Sequence, residues 1–139
     1  MSTPVTITVS ALVNAPVEKV WDVWFTPEHI TQWNAASDDW HTPTATVNLR
    51  TGGTFTSRME AKDGSFGFDF SGTYDVVKTH EHVSITMGDG RKWTVDFTAQ
   101  GDSTLVTEAF EAESTNPIEM QRGGWQAILD NFKNYTESL

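Results

Sequence analysis

Along the first stretch of the chain, Val5, Ile7, Val9, Ala11 and Val13 alternate with Thr6, Thr8, Ser10 and Leu12. This period of two predicts a strand with one buried face. Asn14, Ala15 and Pro16 punctuate it, and Val17, Val20, Trp21 and Trp24 then recur at helical spacing, predicting a short helix. A second short helix follows Pro27, carries Ile30 and Trp33, and ends near Asn34. Residues 35–43, AASDDWHTP, have no period and are expected to form an irregular stretch holding Trp40 and His41.

Six further alternating runs occupy residues 45–49, 54–60, 66–77, 82–87, 92–99 and 104–112, separated by Gly52-Gly53, Asp63-Gly64, Asp89-Gly90 and Gly101-Asp102. Such pairs are hairpin signals, so the runs predict a meander. No alternation of strand and helix, internal repeat or linker interrupts it. With the first strand, the expectation is a single α+β domain over residues 1–139, built on a sheet of about seven strands.

The last 24 residues restore the helical period. Ile118, Trp125, Ile128, Leu129, Phe132, Tyr135 and Leu139 fall largely on one side, and Glu119, Gln126, Asp130, Lys133 and Glu137 on the other. Asn116 suits an N-cap and Pro117 the first turn. About 22 helical residues span about 33 Å, enough to cover the inner face of a twisted sheet. Gly123 and Gly124 interrupt the pattern, each costing about 1 kcal/mol relative to alanine inside a helix. Either close backbone approach or room for a ligand offsets that cost, or the helix starts after the glycines.

Composition narrows the function. The formal charge of −10, with nine Lys and Arg against nineteen Asp and Glu, opposes attraction to phosphate backbones and anionic membranes. No nucleic-acid or membrane partner is expected. The absence of cysteine excludes disulfides, thiolate catalysis and cysteine-based zinc sites. MSTPVTITVS lacks the basic region and apolar run of a signal peptide, so a cytoplasmic location is expected. Six tryptophans and eight phenylalanines concentrate apolar area in few side chains, suited to filling a core or lining a cavity.

On the longest strand, Phe66, Phe68, Phe70, Gly72, Tyr74 and Val76 share one face. Met59 and Trp93 join them from neighbouring strands. Among titratable groups, His41 beside Trp40 is the best placed for proton transfer, with Asp38 and Glu60 as further acid or base candidates. His80 and His82 flank Glu81, a spacing better read as a solvated turn than as a metal cluster, and no metal or cofactor is expected. Arg58, Glu60, Asp69, Glu108 and Glu111 read as cross-strand ion pairs; a charged group turned into a cavity would instead anchor a ligand. No nucleophile elbow, phosphate loop, dinucleotide fingerprint or zinc-protease motif is present.

The segments NAPVEKVWDVWFTPEHITQW, GFDFSGTYDVV, DGR and GWQAILDNFKNY, with the Gly52-Gly53 turn, resemble bacterial proteins similar to the C-terminal domain of the heat-shock chaperone ATPase activator. The order of elements resembles the wider helix-grip superfamily of START-like and birch-pollen-allergen-like proteins. The resemblance covers nearly the full chain. It implies a helix-grip fold, in which a curved antiparallel sheet wraps around a long C-terminal helix and leaves a hydrophobic cavity used for lipids, polyketides or flavonoid-like compounds.

The leading expectation is a binding protein for a small hydrophobic or aromatic ligand held against Phe68, Phe70, Trp93 and Trp125, with Trp40 and Met59 near the entrance. It would act as a monomer or weak dimer. The alternatives are a polyketide cyclase or aromatase-like enzyme using His41, Asp38 or Glu60, and a protein that stimulates a chaperone ATPase, to which the acidic surface offers complementarity for a basic partner.

Overall fold

The computed structural model describes residues 5–139. A strand β1 (Thr6–Val13) leads into α1 (Val17–Phe25) and α2 (Pro27–Trp33), followed by β2 (Trp40–Val47), β3 (Thr54–Ala61), β4 (Gly67–Lys78), β5 (His82–Met87), β6 (Lys92–Gln100), β7 (Ser103–Glu111) and the helix α3 (Ile118–Ser138). The strands form one antiparallel sheet of seven in the order β1-β7-β6-β5-β4-β3-β2. The last six are the predicted meander, and β1 closes it by pairing with β7 from Thr6 opposite Glu111 to Val13 opposite Thr104.

Alternation determines which side chains face α3. Ile7, Val9, Phe55, Val83, Ile85, Val95, Phe97, Val106 and Phe110 are buried on the inner face. Two irregularities bend the sheet. In β4 the pairing skips Asp75, between Tyr74 opposite Ile85 and Val76 opposite Ser84. This extra residue moves Val76 to the outer face, where it is exposed, and turns Val77 toward the core, correcting the uninterrupted alternation expected for the strand. The Thr86 hydroxyl donates to Asp75 Oδ2 at 2.6 Å and fixes the bulge. The second shift, between His41 and Thr44, lies in the segment expected to be irregular; β2 instead begins at Trp40, because Trp40 and His41 find ladder partners in Ala61 and Glu60. Bulges raise local twist and let a sheet curl around a helix.

Both short helices bury aromatic side chains at one end of the sheet. Trp24 meets Phe132 at 4.8 Å and Trp33 at 5.1 Å between ring centroids, and Trp21 meets Phe97 edge-on at 5.1 Å. The Trp33 indole satisfies its N–H on the Val23 carbonyl at 3.2 Å. Leu129 and Phe132 of α3 are fully buried against this cluster.

The polar side of α3 lies along β1, the sheet edge. Arg122, Gln126 and Lys133 donate to the carbonyls of Thr8, Ser10 and Leu12, the last two at 3.1 and 2.8 Å. These carbonyls would otherwise present an unpaired edge. Asn116 makes no side-chain cap, contrary to expectation: Pro117 occupies the cap position, and Glu113 instead accepts from the backbone N–H groups of Thr115 and Asn116. Gln121 clamps this turn, accepting from Glu113 N and donating to the Glu113 and Asn116 carbonyls.

Gly123 and Gly124 lie inside α3, so the helix does not begin after them. A Cβ built on either would meet nothing within 4 Å, which rules out close backbone approach as the reason for the pair. A glycine that does permit close approach at the inner face is Gly72 in β4, where a Cβ would fall 2.8 Å from the Phe55 ring and 2.9 Å from the Thr86 carbonyl. Its lack of a side chain leaves room for the Phe55 ring to approach the strand.

Candidate functional site

Where α3 rises off β3 to β6, the core does not close. A cavity of about 260 Å³ lies between the inner face of the sheet, α2 and the first half of α3. The sheet supplies Phe55, Met59, Phe68, Phe70, Ile85 and Trp93 to its wall; the helices supply Trp24, Ile30, Trp33, Trp125 and Ile128. The aromatic residues brace one another. Trp93 and Trp125 meet edge to face at 5.2 Å, Phe70 lies 5.9 Å from Trp93 and 6.3 Å from Trp125, and Phe55 lies 5.8 Å from Phe70. Trp125 is held by stacking on Phe110 at 3.8 Å, with the planes inclined by 12°.

Five of the residues expected to contact ligand, Met59, Phe68, Phe70, Trp93 and Trp125, stand in this wall. Trp40 does not. It packs outside, 6.2 Å from Phe68 and 6.0 Å from Phe66, in an aromatic cluster at the rim in which Phe66 is 62 % exposed.

Few polar groups face the void. They include Asn34, Ser57, Tyr74, Arg91 and Glu108. The Arg91 guanidinium is already engaged, donating to Asp89 Oδ2 at 2.7 Å and to the Glu111 carbonyl at 3.0 Å. Burial alone pushes the Tyr74 phenol well above its ordinary value.

Glu108 is 3 % exposed and sits on the inner face of β7 between Val106 and Phe110, directly across from Val95 of β6. It receives one hydrogen bond from the described residues, from the Trp93 indole N–H to Oε1 at 3.2 Å. Loss of hydration outweighs that bond, and its pKa is pushed up to about 8. The carboxyl therefore carries a proton at neutral pH. Among the expected ion pairs, this residue departs furthest from the pattern. The signal was present in the alternation of Thr104, Val106, Glu108 and Phe110, which places the carboxylate on the apolar side of its strand.

The three acid–base candidates lie elsewhere. His41 and Glu60 are cross-strand partners on the outer face, with Nε2 and Oε1 3.9 Å apart. Arg58 joins them there through a 2.8 Å contact to Glu60 and a 3.5 Å contact to Asp69. Asp38 is exposed in the turn before β2. None of the three belongs to the cavity wall. His82, expected in a solvated turn, opens β5 and bonds to Asp96 and Ser84, both at 2.7 Å, while His80 takes a left-handed turn conformation. No group of three metal-ligating side chains is found among the described residues. No described helix is long and apolar enough to cross a membrane.

Residues 14–137 match the family model described as Activator of Hsp90 ATPase homolog 1-like protein. Among solved structures, the AHSA1-like protein from Aeromonas hydrophila is 45 % identical, with a TM-score of 0.90 over 96 % of this chain and 93 % of that one. Chr148 from Cytophaga hutchinsonii is 53 % identical, with a TM-score of 0.83 over 96 % and 92 %. NE0264 from Nitrosomonas europaea shares the fold at 17 % identity, with a TM-score of 0.83 over 99 % and 97 %. No curated protein matches the chain.

Proposed function

The chain belongs to the Activator of Hsp90 ATPase homolog 1-like family, and from that premise we propose that it is a binding protein for a small hydrophobic or aromatic ligand, held between the sheet and α3. The observation that carries this reading is the cavity of about 260 Å³ whose wall is mainly aromatic and aliphatic. Ligand sites for drug-sized molecules run from about 300 to 1,000 Å³, so this one favours a compound of one or two rings over a whole phospholipid or sterol. A polyketide or flavonoid fragment has suitable dimensions and polarity.

The proposed unit spans residues 1–139 and acts in the cytoplasm as a monomer or weak dimer. Binding is favoured over catalysis because His41, Asp38 and Glu60 stand outside the wall, which leaves Glu108 as the carboxyl facing bound ligand.

Amide NMR titration against a panel of one- and two-ring aromatic compounds tests the proposal. Saturable shifts at Phe70, Trp93, Trp125 and Ile128 are expected, and Ile128→Trp, which fills the void, should abolish them. A wild-type spectrum insensitive to every compound at millimolar concentration overturns it.

A further inference from the structure

Glu108 gives the cavity a chemical preference that its apolar wall does not explain. A carboxyl at 3 % exposure with a single indole donor is poorly compensated, and a buried group of this kind is normally matched by a partner. Among the described residues, no lysine or histidine lines the void, and Arg91 there is already engaged by Asp89 and the Glu111 carbonyl. Among the described residues, no free cationic group is placed to pair with it.

The surrounding rings specify its sign. Phe55, Phe70 and Trp93 are mutual neighbours and Trp125 packs on Phe70 and Trp93, with centroids 5.2 to 6.3 Å apart, and all four line the same void as the carboxyl. Aromatic faces attract a cation lying within about 6 Å of a ring centroid, most strongly for tryptophan and most strongly when water is excluded. An anion would meet the same ring faces unfavourably. The chain's net charge of −10 raises the local concentration of cations around it.

We propose that the ligand carries a protonated amine on an aromatic or aliphatic frame, and that the amine seats against Glu108 within the rings of Trp93, Trp125, Phe70 and Phe55. This inference rests on the reading of the cavity as a ligand site. A neutral ligand with a carbonyl or hydroxyl group would make one ordinary hydrogen bond to the protonated carboxyl. An ammonium ion gains a charge-assisted bond and the ring faces together. The carboxyl must first give up its proton. With its pKa raised to about 8, amine binding at pH 7 releases a proton and costs about tenfold in affinity relative to a carboxyl already ionised. The other titratable or charged groups lining the void are Tyr74 on β4 and Arg91 in the turn before β6; α2 and α3 contribute none.

Calorimetric titration at pH 7 with 1-naphthylmethylamine, 1-naphthalenemethanol and 1-naphthoic acid separates the outcomes. The amine is expected to bind at least tenfold more tightly than the alcohol, with the acid weakest. Its heat should vary with the ionisation enthalpy of the buffer, reporting proton release in the wild-type protein without recourse to a variant. In Glu108→Gln, which keeps an acceptor for the Trp93 indole, the amine should fall to within threefold of the alcohol. Equal or tighter binding of the alcohol by the wild type, or an amine preference that survives Glu108→Gln, overturns the proposal. Alcohol binding that Ile128→Trp abolishes, without amine preference, sinks the amine alone and leaves the cavity reading standing. No binding by any of the three, or binding that ignores Ile128→Trp, sinks both.

Discussion

The indole N–H of Trp93 donates to Oε1 of Glu108 at 3.2 Å, joining the most polar group of the inner face to the aromatic residue at the centre of the cavity wall. The two sit on neighbouring strands one pairing step apart, since Trp93 is opposite Phe110 and Val95 opposite Glu108. The bond orients the carboxyl without meeting the cost of its burial.

That imbalance makes stability depend on pH. Below about pH 4.5, the ordinary value for this carboxyl, folded and unfolded chains both hold the proton and Glu108 costs nothing through ionisation. Between that point and about pH 8 the unfolded chain ionises while the folded one keeps its proton, so unfolding releases a proton and stability falls as pH rises. Above pH 8 the full penalty remains. The loss amounts to about 1.4 kcal/mol for each unit by which the pKa is raised. Glu108→Gln should remove this component, so that urea melts show variant and wild type converging toward pH 4 and the variant more stable at pH 9. Parallel pH profiles would contradict the assignment.

Gly123 and Gly124 predict a gain. Both lie within α3, and an added Cβ meets no atom within 4 Å at either. Each change to alanine should stabilise by about 0.5 to 1 kcal/mol, through the lost backbone freedom of the unfolded chain. Thermal melting of Gly123→Ala and Gly124→Ala checks this, and a lower midpoint for Gly123→Ala, the more exposed of the two, would count most strongly against it.

Thr136 should also be improvable. It is fully buried in the last turns of α3, and its Oγ1 is the one buried side-chain polar atom without a hydrogen-bond partner among the described residues. Valine has nearly the same shape and no hydroxyl to leave unsatisfied. Thr136→Val is expected to stabilise by about 1 kcal/mol, read from the urea midpoint at unchanged slope.

The closed and open ends of the interior should respond differently to truncation. Phe132 is fully buried, 4.8 Å from Trp24 and 4.9 Å from Trp33, and Phe132→Ala should cost about 3 to 5 kcal/mol. Phe68 is 43 % exposed at the rim, and Phe68→Ala should cost less than about 1 kcal/mol. Equal losses in denaturant melts would mean that the rim is as tightly packed as the core.

Most of the fold was legible in the chain. The period of two in β1 and in the six runs of the meander, the turn pairs between them, and the helical stripe from Ile118 to Leu139 each arise from local geometry, because alternation and the 3.6-residue repeat act over neighbouring residues. The boundary of β2 and the side taken by Val76 were not legible. Both depend on bulges, and a bulge is selected by the partner strand and by the curvature that the helix demands. The capping at Asn116 failed for a related reason: Glu113 and Gln121 reach the same turn from positions that sequence spacing does not privilege.

For the site, sequence alone determined the aromatic inner face and, through the alternation of β7, the presence of Glu108 upon it. The tertiary structure decided everything that depends on distance between elements. It left a void under α3, placed His41 and Glu60 on the opposite surface, held Trp40 at the rim, and set α3 along the edge of β1 so that Arg122, Gln126 and Lys133 meet its free carbonyls. A side chain's face is set by its own strand, whereas the space in front of it is set by how far a helix elsewhere in the chain can approach.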